Sequence, residues 1–190
     1  MAMMTRTDSN SFVRDKQFTT ENFEKFVVPV LKAVFKTERI VDSEVLGDNL
    51  SRCLDRENCI DGYFERDGAF EFFSSRIQNA NYRTFTIRKS RDSGAVAEYE
   101  RLCRQFREGR IYPRWAIQAY VSGDSATVAV TETRHLLNFI REGKAGVKHT
   151  REDKHGQSGF FTVKWHDLQK SGIPVKIFNI TRGEIKKAAR

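Results

Sequence analysis

The stretch CIDGYFERDGAFEFFSSRIQ, Cys59 to Gln78, decides the fold. Asp67-Gly68 is a dipeptide of tight two-residue hairpin turns, because both residues tolerate a positive φ. The runs on either side, Cys59 to Arg66 and Ala69 to Gln78, are rich in Phe, Tyr and Ile, which fit a pleated, half-buried surface. A β-hairpin is therefore expected here. A third strand is expected at Tyr82 to Lys89, where Phe85 and Ile87 alternate with Thr84, Thr86 and Arg88 at the period of two of a half-buried strand.

Upstream, Phe23, Phe26, Val27, Val30, Leu31 and Val34 recur at helical spacing behind Thr20, which predicts an amphipathic helix over residues 20 to 35. Pro29 should kink it, since proline lacks a backbone donor. Residues 1 to 18 are polar and aperiodic and read as a flexible arm. Downstream, Gly94 to Gly109 reads as a helix with Tyr99, Leu102, Cys103 and Phe106 on one side. Strands are expected at Tyr112 to Val121 and Ala126 to Val130. A helix carrying Leu136, Leu137 and Ile140 follows, then a polar loop from Lys144 to Gly159. Late strands fall at Phe160 to Trp165 and Val175 to Ile180, before a basic tail, residues 181 to 190. Strands interspersed with helices imply an α/β (α+β) class, with a mixed central sheet flanked by helices and one domain over residues 19 to 180.

The chain has 190 residues with a net charge of +8, which favours polyanionic partners through counterion release. Its 15 Phe and 39% hydrophobic content suffice for a real core. No apolar run approaches the roughly 20 residues of a membrane helix, and Met1 to Ser11 lacks a signal-peptide pattern. A cytoplasmic protein is expected. Cys53, Cys59 and Cys103 are odd in number and lack metal spacing, so they are expected as free thiols. His135, His149, His155 and His166 are scattered without ligand spacing. The absence of a glycine-rich phosphate loop and of a G-x-S-x-G elbow excludes nucleotide hydrolysis and acyl transfer of those types.

The hairpin, with Asp61 at the start of its first strand, resembles the core of the PD-(D/E)xK nuclease superfamily, which includes Holliday-junction resolvases and restriction endonucleases. The resemblance implies a restriction-endonuclease-like fold over about Thr20 to Val130. It implies cleavage of phosphodiester bonds, with DNA the expected substrate and Asp61 a ligand of Mg²⁺ or Mn²⁺. Where the family has a carboxylate-x-Lys, this chain has Ser74-Ser75-Arg76, so Arg76 keeps the charge but cannot readily release a proton. Glu71 is expected on the opposite face of its strand. Some members of the superfamily move the second carboxylate to a helix, which makes Glu24 and Glu98 candidates.

Asp61, Arg76, Gln78 and Glu98 are thus the candidate catalytic residues. Arg83, Arg88, Lys89, Arg91, Arg114, Gln118 and Tyr120, with Tyr112, form a basic and aromatic set suited to phosphates and bases. Arg101, Arg104 and Arg107 are expected to pair with Glu98, Glu100 and Glu108 along their helix. A homodimer is an expectation, since enzymes of this kind often cut two strands as dimers. The alternative is a module on the same scaffold that binds nucleic acid or a protein without cleaving.

Overall fold

A computed structural model of the chain describes residues 6–43, 46, 48–92, 94–149, 157–181 and 183–188. Strands β1 (Ile40–Asp42), β2 (Gly62–Arg66) and β3 (Ala69–Gln78) form an antiparallel meander. The β2–β3 turn is the expected one, with φ of 53° at Asp67 and 76° at Gly68, the backbone that a two-residue hairpin of this type requires.

The third expected strand lies elsewhere. β4 (Thr84–Arg91) leaves the central sheet and pairs with β8 (Ser158–Lys164), which pairs in turn with β7 (Gly146–His149) in a separate three-stranded sheet. Beside β3 runs β5 (Trp115–Ser122), in parallel, with Arg76 opposite Gln118 and Gln78 opposite Tyr120. The physical reason is burial. Every residue of β5 from Ala116 to Val121 is buried, as suits a central strand covered on both faces, whereas β4 ends in exposed Lys89, Ser90 and Arg91. Antiparallel β6 (Ser125–Glu132), β9 (Lys176–Thr181) and β10 (Glu184–Lys187) complete a mixed seven-stranded sheet of order β1-β2-β3-β5-β6-β9-β10. The α/β class expected from the sequence holds.

Helices cover both faces. On one side α1 (Arg6–Asn22), a π-helical turn (Phe23–Val27) and α2 (Val28–Phe35) lay Phe26, Val27, Val30 and Leu31 on Phe64, Phe73, Ala119 and Val128. The kink expected from Pro29 takes the form of that π turn, where the Val28 N–H reaches back to the Phe23 carbonyl. On the other side α4 (Glu98–Glu108), α5 (Thr133–Arg141), α6 (Trp165–Lys170) and the small sheet enclose a second core around Phe85, Leu102, Leu136, Trp165 and Leu168. A short helix, α3 (Asp48–Arg52), runs into a second π turn (Cys53–Glu57) before the hairpin.

Two expectations for the ends are corrected. The chain is helical from Arg6 instead of forming an arm to residue 18, with Phe18 packed against the core; residues 1–5 lie outside the described residues. The basic tail forms β10, because Ile185 packs inward while Glu184, Lys186 and Lys187 stay exposed. Among the described residues no helix is long and apolar enough to cross a membrane.

Candidate active site

Asp61 lies immediately before β2, and backbone pairing holds it from both sides. Its N–H donates to the Phe73 carbonyl at 3.0 Å and its carbonyl accepts from the Ser43 N–H at 2.8 Å. One carboxylate oxygen accepts the Ser75 backbone N–H at 2.6 Å. Gly62 makes this fit possible: a Cβ there would lie 2.5 Å from the Val41 carbonyl oxygen and overlap the Phe73 ring.

The side chain opens into a cavity of about 220 Å³, whose wall includes Asp55, Arg76, Arg88, Arg91, Glu98 and Arg101 as well as Asp61. A second cavity, about 380 Å³, lies toward α1 and shares Asp55, Asp61 and Ser75 with the first. Asp61 and Asp55 are thus the carboxylates at which the two hollows meet. Burial pushes its carboxyl up to about 7, helped by the negative charges of Asp55 and Glu98 and opposed by the Ser75 N–H and by Arg76.

Glu98 comes from the first turn of α4 and reaches the same cavity. Its Oε2 accepts from Arg76 at 2.8 Å and from the Arg88 backbone N–H at 3.0 Å. Arg76 and Arg88 also stack over Phe160, at 5.5 and 5.4 Å from its centroid. Burial lowers the Arg88 pKa, as do the adjacent Arg91 and Arg76. The buried Nε atoms of Arg88 and Arg101 have no hydrogen-bond partner among the described residues. The cavity therefore has unsatisfied cationic donors beside its carboxylates.

The β3–β5 pairing brings together four of the expected residues. The Gln118 amide donates to the Arg76 carbonyl at 3.2 Å and to the Gln78 side chain at 3.3 Å, and accepts from Thr86 at 3.2 Å. The Tyr120 hydroxyl donates to the Thr84 carbonyl at 2.9 Å. Both Gln118 and Tyr120 are buried, and their hydrogen bonds tie β4 to the sheet; Gln118 also lines the cavity. Arg91 lines the cavity and Arg83 is exposed, while Lys89 lies over Phe161, 5.5 Å from its centroid.

Other expected residues fall outside the site. Arg114 pairs with Glu71 and Glu132 and stacks on Trp115, and Tyr112 packs edge-on against Phe106. Glu71 lies on the α1–α2 side as alternation requires, paired with Arg66 and accepting from the Trp115 indole. Glu24 is exposed and lines neither cavity. Arg101 does not pair with a glutamate of its helix; it donates to the Arg56 carbonyl, because Glu98 is turned inward to Arg76. Asp55 escaped the sequence reading, and Arg101 is expected there only as a helix-pairing residue: they reach the cavity from the second π turn and from α4, and no local pattern announces either as a site position.

The donor set fits a hard cation. Asp61 and Glu98 supply carboxylate oxygens to one polar cavity, and Mg²⁺ is commonly held by one or two carboxylates with water and phosphate oxygens completing its shell. Among the described residues no three His, Cys, Asp or Glu side chains converge as a ready-made cluster, so an ion here would rest on such a sparse set. Cys59 lines the cavity with its thiol pushed up to about 12, chiefly by burial, and remains protonated. Comparison of the chain with family models, curated proteins and solved structures finds no match, so no relative assigns the site a role.

Proposed function

We propose that this chain is a nucleic-acid-cleaving domain of the restriction-endonuclease-like kind, acting on DNA in the cytoplasm with Asp61 as the anchor of a Mg²⁺ or Mn²⁺ ion. The observation that carries the reading is the gathering of Asp61, Glu98, Arg76 and Arg88 around one cavity at the open end of the hairpin. Perturbed carboxylates with specific charged partners in a cleft mark functional sites more often than chance. The bound ion would polarise the phosphate and lower the pKa of an attacking water. Asp61, negative above about pH 7 without the ion, contributes the fixed charge. Glu98 would be the second carboxylate to hold the ion, a role that requires it to give up its pairing with Arg76. Arg76, freed from that carboxylate, and Arg88, which meets Glu98 only through its backbone N–H, would offer their guanidinium donors to the phosphate oxygens, where paired N–H groups match the anion. Arg83, Lys89 and Arg91 extend the basic surface along β4 for flanking phosphates.

One observation favours a second reading. Glu98 already accepts two hydrogen bonds, and Ser74 stands where the family has a carboxylate, which suits a module that binds nucleic acid without cutting it. Incubation with linear duplex, single-stranded and branched DNA in Mg²⁺, Mn²⁺ or EDTA separates the two. Metal-dependent cleavage, lost in Glu98→Gln, is the expected result. Retention of all three substrates without cleavage in either metal would establish the binding module instead.

A further inference from the structure

The side of α4 that faces away from the cavity remains to be accounted for. Leu102 and Gln105 mark its buried side, and 100° per residue then places Glu100, Arg104 and Arg107 on the outermost stripe, with the half-buried Cys103 beside it. Tyr99, Cys103, Phe106 and Leu137 floor a groove of about 550 Å³ between α4 and α5, with Glu100, Arg107 and Arg141 at its rim. Phe106 is 42% exposed, and Val96 and Ile111, just beyond the two ends of the helix, are 49% and 57% exposed. An open groove with an apolar floor and an exposed Phe at its edge marks an interaction site.

We propose that this groove is a self-association surface, with α4 packing antiparallel on α4 of a second copy about a two-fold axis beside Cys103. The charges support it. Glu100 and Arg107 are seven residues, about 10.5 Å, apart along the helix, and neither forms an ion pair among the described residues. A two-fold axis midway between them sets Glu100 of each copy against Arg107 of the other, so one unpaired couple becomes two pairs in an isologous contact. The midpoint falls between Cys103 and Arg104, which brings the two Cys103 thiols close across the axis. Phe106 of each copy then covers the apolar floor of the other. A nucleic-acid strand would match Arg107 and Arg141 but would meet the negative Glu100 and leave that floor bare. The ion pairs set register, and the apolar floor supplies the area.

The proposal is independent of the cleavage reading. Light scattering and sedimentation over a concentration series of the full chain test it. The wild type is expected to dimerise, Glu100→Arg and Arg107→Glu each to weaken the dimer at least tenfold, and the double swap to restore it. Circular dichroism checks that the variants remain folded. In a Cys53→Ser background, which removes the exposed thiol, a short bismaleimide should link two chains through Cys103. A monomer at every concentration, or a dimer indifferent to the single reversals or not recovered by the swap, would overturn the proposal. If that monomer bound single-stranded DNA, and Phe106→Asp abolished the binding, the groove would belong to nucleic acid.

Discussion

Asp61 has one carboxylate oxygen on the Ser75 N–H and its other surroundings include the negative Asp55 and Glu98. Holding such a group charged costs stability, and the sign of the pH effect follows. The carboxyl is raised from an unfolded value of about 4 to about 7. The native state therefore binds the proton more tightly than the unfolded chain does. Its contribution is full below about pH 4 and is lost as pH rises through 7. In EDTA the melting temperature should fall between pH 5 and 8 by an amount worth roughly 1 to 3 kcal/mol, discounted because the carboxylate touches cavity water. Asp61→Asn should flatten that slope and melt higher than wild type at pH 8. A wild-type profile that rises over this window would remove the strained carboxylate from the account. The residues of this site were legible in part. Asp61 stood out by its place at the start of the first hairpin strand, and Glu98 by the resemblance. Asp55 and Arg101 did not, because what brings them to the cavity is the packing of one π turn against α4.

At the scale of elements, the β2–β3 hairpin is the frame on which Asp61 and Arg76 are mounted, and Gly62 is its tightest point. Alanine there forces either the Phe73 ring or β1 to move, since one neighbour is a backbone carbonyl that cannot turn aside. Overpacking of this kind costs about 1 to 3 kcal/mol, and it displaces the residue next to Asp61. Gly62→Ala should therefore lower the urea midpoint and reduce cleavage together; an unchanged midpoint would show that the meander has slack. The hairpin itself was written in Asp67-Gly68 and the aromatic runs around it. The position of β4 was not. Its alternating Phe85, Thr86 and Ile87 describe any half-buried strand, and what excludes it from the central sheet is β5, buried from Ala116 to Val121 and more than twenty residues away. α1 was hidden for the opposite reason: its sequence is mostly polar, and among its described side chains Phe18 packs against the core.

The whole molecule presents an excess of eight positive charges, and Arg83, Lys89 and Arg91 stand exposed on or beside β4. If these and the cavity arginines meet phosphates, affinity for DNA should fall linearly with added salt on logarithmic axes. With three to five contacts on duplex DNA the slope is about −2.7 to −4.5. Charge reversal at Lys89 should reduce that slope by roughly one. A slope near zero would mean that the basic charge is only a solvated surface.

These scales meet in the substitution Asp61→Asn, which removes one charge, keeps the size of the side chain and leaves the hairpin in place. Cleavage of DNA in Mg²⁺ or Mn²⁺ is measured for the wild type and the variant, beside thermal unfolding of both. The account predicts a loss of rate on the order of 10²-fold or more, with a variant that remains folded and melts at least as high as the wild type above pH 7. Full activity in the well-folded variant would contradict it.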